Sequence, residues 1–335
     1  MTGREIMRRA VTFEGPERVG MTFYGWRLND CTGGGPTGDP AFQRRKWHEG
    51  EQQFWDDEWG CIWSRLDSLS KGEVWEGPIK TWDDVDKYEF PRFGPERYEG
   101  TRKHFAEDTE HFRLGGLPGF PFSIMRKLRK MDNFLTDVVA EPERVIELQE
   151  RVLGLLEGII DELMDAGADG ITFAEDWGCQ DRLLINPTSW RKIFRPGFER
   201  LCGRVHDRGG LVLMHSCGYL DEIIDDLIGV GVNCLQFDQQ ENYGIDHLAE
   251  QYGGRMCFWC PVDIQKVLPT GDKEKIQAHA RKLVERLGRY NGGFIGKSYC
   301  GPESLQTINV AEEWSDWSYE AFLDACGWTG PRRVD

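Results

Sequence analysis

Residues 211–218 read LVLMHSCG, an apolar run that ends in a histidine and a cysteine two positions apart. The apolar part fits a buried strand, and the glycine that follows lets the chain turn. Because strand side chains alternate between two faces, His215 and Cys217 point to the same side if the extended backbone continues to Cys217. An imidazole and a thiolate on one side of a strand end make half of a tetrahedral zinc site. The stretch therefore predicts a strand with metal ligands at its carboxyl end.

Helix and strand patterns alternate with short connections around this stretch. An amphipathic helix pattern begins at Pro142 and stops at Gly167, ahead of a strand at 171–174, and a second helix begins at Asn186, ahead of the strand at 211–215. Further strands are predicted at 19–24, 111–115, 233–237, 255–259 and 293–295. This alternation is typical of βαβ units and a parallel sheet, and an eighth strand could lie in the N-terminal third.

The length of 335 residues fits a single α/β domain over residues 1–335, a (β/α)8 TIM-type barrel. A doubly wound open sheet is the alternative, although no glycine-rich phosphate loop favours it. The N-terminal third breaks the regular pattern. Residues 29–40 are rich in Gly, Pro, Thr and Asp and predict a loop.

Residues 47–82 contain six tryptophans interleaved with acids. Within them, residues 60–66 and 72–79 could pair as a hairpin. The tryptophans either plug one end of a core or form an aromatic lid over a pocket, because an indole combines a large apolar face with a polar handle. We therefore predict an irregular Trp-rich insertion at about 25–90 within the barrel domain.

The composition excludes several classes of partner. A formal net charge of −16 would repel a phosphate backbone, and no Lys/Arg-rich stripe offsets it, so we expect no nucleic-acid partner. The apolar runs are far shorter than the roughly 20 residues of a membrane helix, and the first residues carry no apolar signal core. We expect no membrane association and a cytoplasmic location. The ten scattered cysteines then predict reduced thiols rather than a disulfide framework.

Ligand-type and acidic side chains gather where the predicted strands end, and in a barrel these ends share one mouth. His215, Cys217 and Cys300 would supply one nitrogen and two sulfurs and leave a fourth position open, as catalytic zinc sites require. Cysteine-rich coordination keeps a bound substrate thiolate nucleophilic, which favours alkyl transfer over hydrolysis. The alternative is a packed and hydrogen-bonded His/Cys pair without metal.

Glu175 and Asp176 directly follow a strand and are the predicted catalytic acids. Either could be a general acid or base, a fourth ligand or a group that orients His215, and Asp176 could instead cap a following helix. Cys257 and Cys260 form a Cys-x-x-Cys, but in a strand a separation of three puts them on opposite faces, so Cys257 is interpreted as core. For a substrate pocket at the mouth we predict Tyr24, Trp59, Trp177, Gln180, Asp238 and Cys260.

Several segments resemble the uroporphyrinogen decarboxylase superfamily. They are TGRE at 2–5, FEGPERV at 13–19, AEDWG at 174–178, NP at 186–187 with Trp190, and above all HSCG at 215–218. The resemblance implies a distorted (β/α)8 barrel. True decarboxylases carry an N-terminal Met-Arg-Gln-Ala-Gly-Arg motif that grips the carboxylates of the porphyrin, whereas this chain has MTFYGWR at 21–27, without the paired arginines.

The other branch of the superfamily comprises cobalamin-dependent methyltransferases of the methylcobalamin:coenzyme M type, whose zinc is held by His-x-Cys and a distant Cys. His215, Cys217 and Cys300 match that pattern, and Gly301-Pro302 follows the last of them. The resemblance implies Zn²⁺, a cobalamin carried by a separate corrinoid protein that docks at the mouth, and a small substrate such as a thiol, a pterin or a methylated donor. A homodimer is left open.

Three functions are compatible with these observations. The leading hypothesis is a zinc-dependent methyltransferase that moves a methyl group between a corrinoid protein and a small substrate. The second is a metal-independent decarboxylase or lyase of the uroporphyrinogen decarboxylase type, acting on a carboxylated substrate with Asp176 handling the proton. The third is a non-catalytic binder with the tryptophans forming its pocket. Metal content separates the first from the other two.

Overall fold

A computed structural model describes residues 1–66, 70–298 and 310–333. Its strands are β1 Gly20–Thr22, β2 Cys31–Gly34, β3 Lys46–Glu49, β4 Gln52–Asp56, β5 Ile62–Arg65, β6 Glu73–Glu76, β7 Phe112–Gly116, β8 Gly170–Ala174, β9 Leu211–His215, β10 Cys234–Gln236, β11 Cys257–Cys260 and β12 Phe294–Lys297. Its α-helices are α1 Gly3–Thr12, α2 Glu99–Glu107, α3 Pro121–Arg129, α4 Met131–Ala140, α5 Pro142–Asp165, α6 Pro187–Ile193, α7 Arg195–Asp207, α8 Asp221–Gly229, α9 Ile245–Tyr252, α10 Lys273–Leu287 and α11 Glu312–Ala325.

Eight strands form a nearly closed parallel barrel in the order β1-β12-β11-β10-β9-β8-β7-β2. At the seam between β1 and β2, the Asp30 N–H donates to the Met21 carbonyl at 2.7 Å, and Thr22 and Asn29 form an antiparallel bridge. The strands alternate with helices over the rest of the barrel. The predicted (β/α)8 TIM-type fold is confirmed.

The eighth strand is β2, and the loop predicted for residues 29–40 is wrong at Cys31–Gly34. The strand pairs with β7 and completes the barrel. A Cβ at Gly34 would lie 2.6 Å from Thr101 Cγ2 and 2.8 Å from Phe105 Cζ, both on α2. The glycine that reads as a loop signal is therefore needed in a strand, because α2 packs directly on its backbone.

The predicted helix from Pro142 is α5, with Pro142 at its first turn. Its buried stripe includes Val145, Leu148, Val152 and Leu163, which recur at helical spacing and cover the outside of the barrel. No helix in the described ranges combines the length and the apolarity that a membrane crossing needs.

A second, antiparallel sheet in the order β3-β4-β5-β6 lies within the range predicted as an irregular insertion. The predicted hairpin is the antiparallel pair β5 and β6, and residues 67–69 between these strands lie outside the described residues. Trp55 stacks on Trp63 with ring centroids 6.3 Å apart, whereas Trp59 is 5% exposed and belongs to the main core. The tryptophans thus divide between the sheet and the core.

The interior of the barrel is filled from its amino end. Helix α1 places Met7, Ala10 and Val11 against inward-facing residues of the strands, in one buried cluster that includes Cys31, Phe112, Leu114, Leu211, Leu213, Cys234, Cys257 and Ile295. Cys257 is core, as predicted. Because strand side chains alternate, the positions two or four residues further along these strands face the carboxyl mouth.

Candidate metal centre

Asp176, His215 and Cys217 bring their ligand atoms within 4.8 Å of one another at the barrel mouth. His215 Nε2 lies 3.3 Å from Cys217 Sγ and 3.6 Å from Asp176 Oδ1. The side chains of His215 and Asp176 are 23% and 38% exposed, so the cluster is open to the outside. The structure therefore brings together two of the predicted ligands and Asp176, which the sequence analysis offered as a possible fourth ligand. The third predicted ligand, Cys300, lies outside the described residues.

The cluster forms where β8 and β9 end side by side, with Ala174 paired to His215. Beyond the strands, the Cys217 N–H donates to Asp176 Oδ1 at 2.8 Å, which ties the two loops together. Gly218 has φ +79°, and a Cβ there would lie 2.2 Å from the carbonyl oxygen of Gly178. Only glycine allows both the turn and this close approach.

A chain of hydrogen bonds fixes the orientation of His215. Its Nδ1 contacts Gln236 Oε1, the Gln236 amide donates to Asp238 Oδ1 at 2.6 Å, and Lys297 Nζ donates to the same oxygen at 3.0 Å. Since Asp238 accepts from the amide nitrogen, Gln236 Oε1 must face Nδ1 and accept its hydrogen. The lone pair of Nε2 is then free on the side of Cys217, which is the arrangement that metal-binding histidines use.

The sequence did not single out Gln236 or Lys297. Gln236 ends β10 and stands two positions before Asp238, and a glutamine facing inward in an apolar strand was the available signal. Lys297 ends β12. Its pairing with Asp238 depends on β12, β11 and β10 lying side by side in the sheet, which a sequence pattern does not give.

Burial raises the pKa of Cys217 to about 12, and the negative charges of Asp176 and Asp238 act in the same direction. Without a cation the thiol is therefore protonated at neutral pH. A divalent cation favours the thiolate, which is the form that coordinates.

Glu175 points away from this cluster. It is completely buried, its Oε1 accepts from the Ser123 N–H at 3.1 Å in the first turn of α3, and its Oε2 has no partner among the described residues. Burial raises the pKa of Glu175 well above its usual range, which favours the neutral carboxyl. The two acids that are adjacent in sequence thus lie in opposite environments.

Three predicted substrate residues lie on or near the mouth. Tyr24 is 63% exposed and lines a cavity inside the barrel. Gln180 is exposed and accepts from Asn242 Nδ2 at 3.1 Å. Asp238 is 3% exposed and is used in the chain of hydrogen bonds to His215.

The other three lie deeper in the protein. Trp59 is 5% exposed beneath Lys127, whose Nζ lies 3.7 Å from the indole centroid. Trp177 is fully buried and stacks on Phe122, with ring centroids 4.3 Å apart. Cys260 is also fully buried and packs in the core between barrel and helices, because it sits on the outward face of β11, opposite Cys257. Trp177 and Cys260 present no surface to a ligand in this structure.

The mouth is asymmetric. The last inward-facing residues of β9, β10, β11 and β12 are large, and they are His215, Gln236, Trp259 and Lys297. Those of β1, β2, β7 and β8 are small, and they are Thr22, Gly33, Gly116 and Ala174. A cavity of about 400 Å³, here called the barrel cavity, opens along the small side. Its lining includes Thr22, Gly33, Leu114, Gly116, Thr172 and Trp259. A small ligand there would lie inside the barrel, and Asp176, His215 and Cys217 are not among the described residues that line this cavity.

Comparison of the chain with known proteins identifies one protein family that matches it. The family model described as uroporphyrinogen decarboxylase (URO-D) matches residues 69–305, which include the three clustered residues and Cys300. A methyltransferase from Methanosarcina mazei superposes with a TM-score of 0.61 at 16% identity, over 80% of this chain and 75% of that one. D-psicose 3-epimerase, solved in the presence of D-fructose, gives a TM-score of 0.40 at 13% identity over 73% and 85% of the two chains, too low to argue from. No curated protein matches the chain.

Proposed function

Because the chain belongs to the uroporphyrinogen decarboxylase family, we propose that it is a zinc-dependent methyltransferase that moves a methyl group between a separate corrinoid protein and a small substrate. The observation that carries the proposal is the meeting of a nitrogen, a sulfur and an oxygen ligand atom at the barrel mouth. The solved methyltransferase with the same fold adds a reason to test this activity first.

The residues present fit a zinc ion. Zinc binds cysteine, histidine and carboxylate ligands, and a catalytic site keeps a position open for substrate. Cys217, His215 and Asp176 would hold the ion, with Cys300 proposed as a further ligand from its match to the family pattern. When bound, zinc would hold a substrate thiol or similar group as a nucleophilic anion.

The surrounding residues prepare this site. Gln236, held by Asp238 and Lys297, keeps the hydrogen of His215 on Nδ1 and leaves Nε2 to coordinate. Cys217 gives up its proton on binding the ion. A corrinoid is far larger than the barrel cavity of about 400 Å³, so it would approach from outside, where His215 and Asp176 are exposed.

Methyl transfer is tested in both directions with free cobalamins in place of the partner protein. One reaction offers methylcobalamin and the thiol 2-mercaptoethanol, and the other offers reduced cobalamin and the methyl ether anisole. We expect zinc-dependent transfer in one direction, lost in Cys217→Ser and kept in Cys179→Ser, an exposed cysteine on the neighbouring loop. Equal rates in the two variants, or no zinc-dependent transfer in either direction, would contradict the proposal.

A further inference from the structure

Trp259 lies on the inner wall of the barrel and lines the barrel cavity. Its Nε1–H donates to Thr22 Oγ1 at 2.7 Å. Trp259 is on β11 and Thr22 is on β1, and β12 runs between these two strands. To reach Thr22 the indole must extend sideways across β12 instead of pointing toward the barrel axis. The hydrogen bond holds the indole in this position beside the barrel cavity.

The other side of the barrel cavity includes two strand positions without side chains, beside Leu114 and Thr172. Gly33 of β2 faces inward, since Cys31 two positions earlier belongs to the inner cluster, and Gly116 ends neighbouring β7. A Cβ built on Gly33 meets nothing within 4 Å, and one on Gly116 meets only the Gly34 carbonyl oxygen, at 3.6 Å. The room left at these two glycines, here called the slot, fits a flat ligand that lies against the indole.

The size and charge of the barrel cavity limit the class of ligand that it can bind. A cavity of about 150 Å³ holds benzene, so one of about 400 Å³ holds a single substituted ring. A tetrapyrrole, with four rings, would not fit inside it. Among the described residues that line the cavity there is no aspartate or glutamate, and Lys297 is paired with Asp238 at 3.0 Å. A cationic ligand would thus find an aromatic side chain in the cavity but no carboxylate of the described residues to pair with.

We propose that the barrel cavity binds a substrate built on one planar ring, stacked on Trp259. This inference rests on the proposed function only in that the ring carries the methyl group or its acceptor atom. Trp259 sets the preference for a planar ring, and Gly33 and Gly116 supply the room for it.

Ligand-observed NMR on the zinc-loaded full chain tests this without any turnover. The probes are anisole, methoxycyclohexane, which has the same size without the planar ring, and tetramethylammonium. Aromatic stacking is worth about 0.5–1.5 kcal/mol, so anisole should bind about two- to tenfold more tightly than methoxycyclohexane. Trp259→Leu, which removes the aromatic ring, should weaken anisole binding by the same two- to tenfold, and Gly33→Val, which fills the slot, should weaken it at least fivefold.

Gly38→Val is the matched control, because a Cβ there also meets nothing within 4 Å, but Gly38 does not line the barrel cavity. It should bind anisole as the wild type does. Methoxycyclohexane or tetramethylammonium binding as tightly as anisole, or unchanged binding in Gly33→Val, would overturn the inference. Zinc content measured on the same samples keeps the two proposals apart. Zinc without ring preference defeats only this inference, and ring binding without zinc defeats only the proposed function.

Discussion

Replacing Gln236 by leucine should weaken zinc binding without touching a ligand. Gln236 is 6% exposed, and its Oε1 is the only described acceptor that faces His215 Nδ1. In Gln236→Leu the Nδ1–H has no partner, and the imidazole is free to place its hydrogen on Nε2, where it blocks coordination. Outer-shell partners of this kind typically change metal affinity by about 10–100-fold, which corresponds to about 1.4–2.8 kcal/mol.

The assay is a competition titration of zinc between the apo-protein and a chromophoric chelator at pH 7.5. Gln180→Leu is the matched control, since Gln180 is an exposed glutamine on the loop that follows Asp176. Urea unfolding of the apo-proteins separates a loss of affinity from a loss of fold. A zinc affinity of Gln236→Leu within twofold of wild type would refute the orienting role.

Three further variants test the fold and its buried acids. Gly34→Val should lower the free energy of unfolding by about 1–3 kcal/mol in urea, because its Cβ would lie 2.6 Å from Thr101 Cγ2, whereas Gly33→Ala should change it little. Burial raises the pKa of Glu175, so ionisation of this carboxyl favours the unfolded chain above about pH 4.3. Glu175→Gln should therefore stabilise the protein at pH 8 and not at pH 4. Equal effects on the free energy of unfolding at the two pH values would contradict this. Burial would raise the pKa of Asp169, but hydrogen bonds from Arg113 and Arg4 outweigh the effect of burial and lower the pKa. The stability that the ionised Asp169 supplies is therefore present above about pH 4 and is lost as the pH falls further. In Asp169→Asn, urea unfolding curves measured at a series of falling pH values should no longer show this loss of stability.

The parts of the fold that follow from local periodicity were predictable from sequence. The inward alternation of β9 places His215 and Cys217 together, and the stripe of α5 is visible from Pro142 onward. β2 was not predictable in this way. Its two glycines carry no strand signal, and the need for them arises only when α2 packs against Gly34.

In the candidate site, too, the contacts within one strand end were predictable and the contacts between strands were not. His215 and Cys217 share one strand end, so their proximity follows from a period of two. The approach of Asp176 depends on pairing between β8 and β9, and the contact of Lys297 with Asp238 depends on the order of β12, β11 and β10 in the sheet. Trp177 illustrates the opposite case, since an aromatic residue next to a predicted acid reads as a pocket wall, yet it fills the core against Phe122. Long-range packing decides such positions, and a single sequence contains no local record of it.

Zinc stoichiometry tests the central claim most directly. Protein purified without added zinc is analysed for metal by inductively coupled plasma mass spectrometry, beside Cys217→Ser and Cys179→Ser. The ligand cluster predicts about one zinc per chain in the wild type and in Cys179→Ser, and a loss of most of it in Cys217→Ser. A wild type without metal that also fails to take up added zinc, or equal zinc in all three proteins, would contradict the assignment of a metal centre to the barrel mouth.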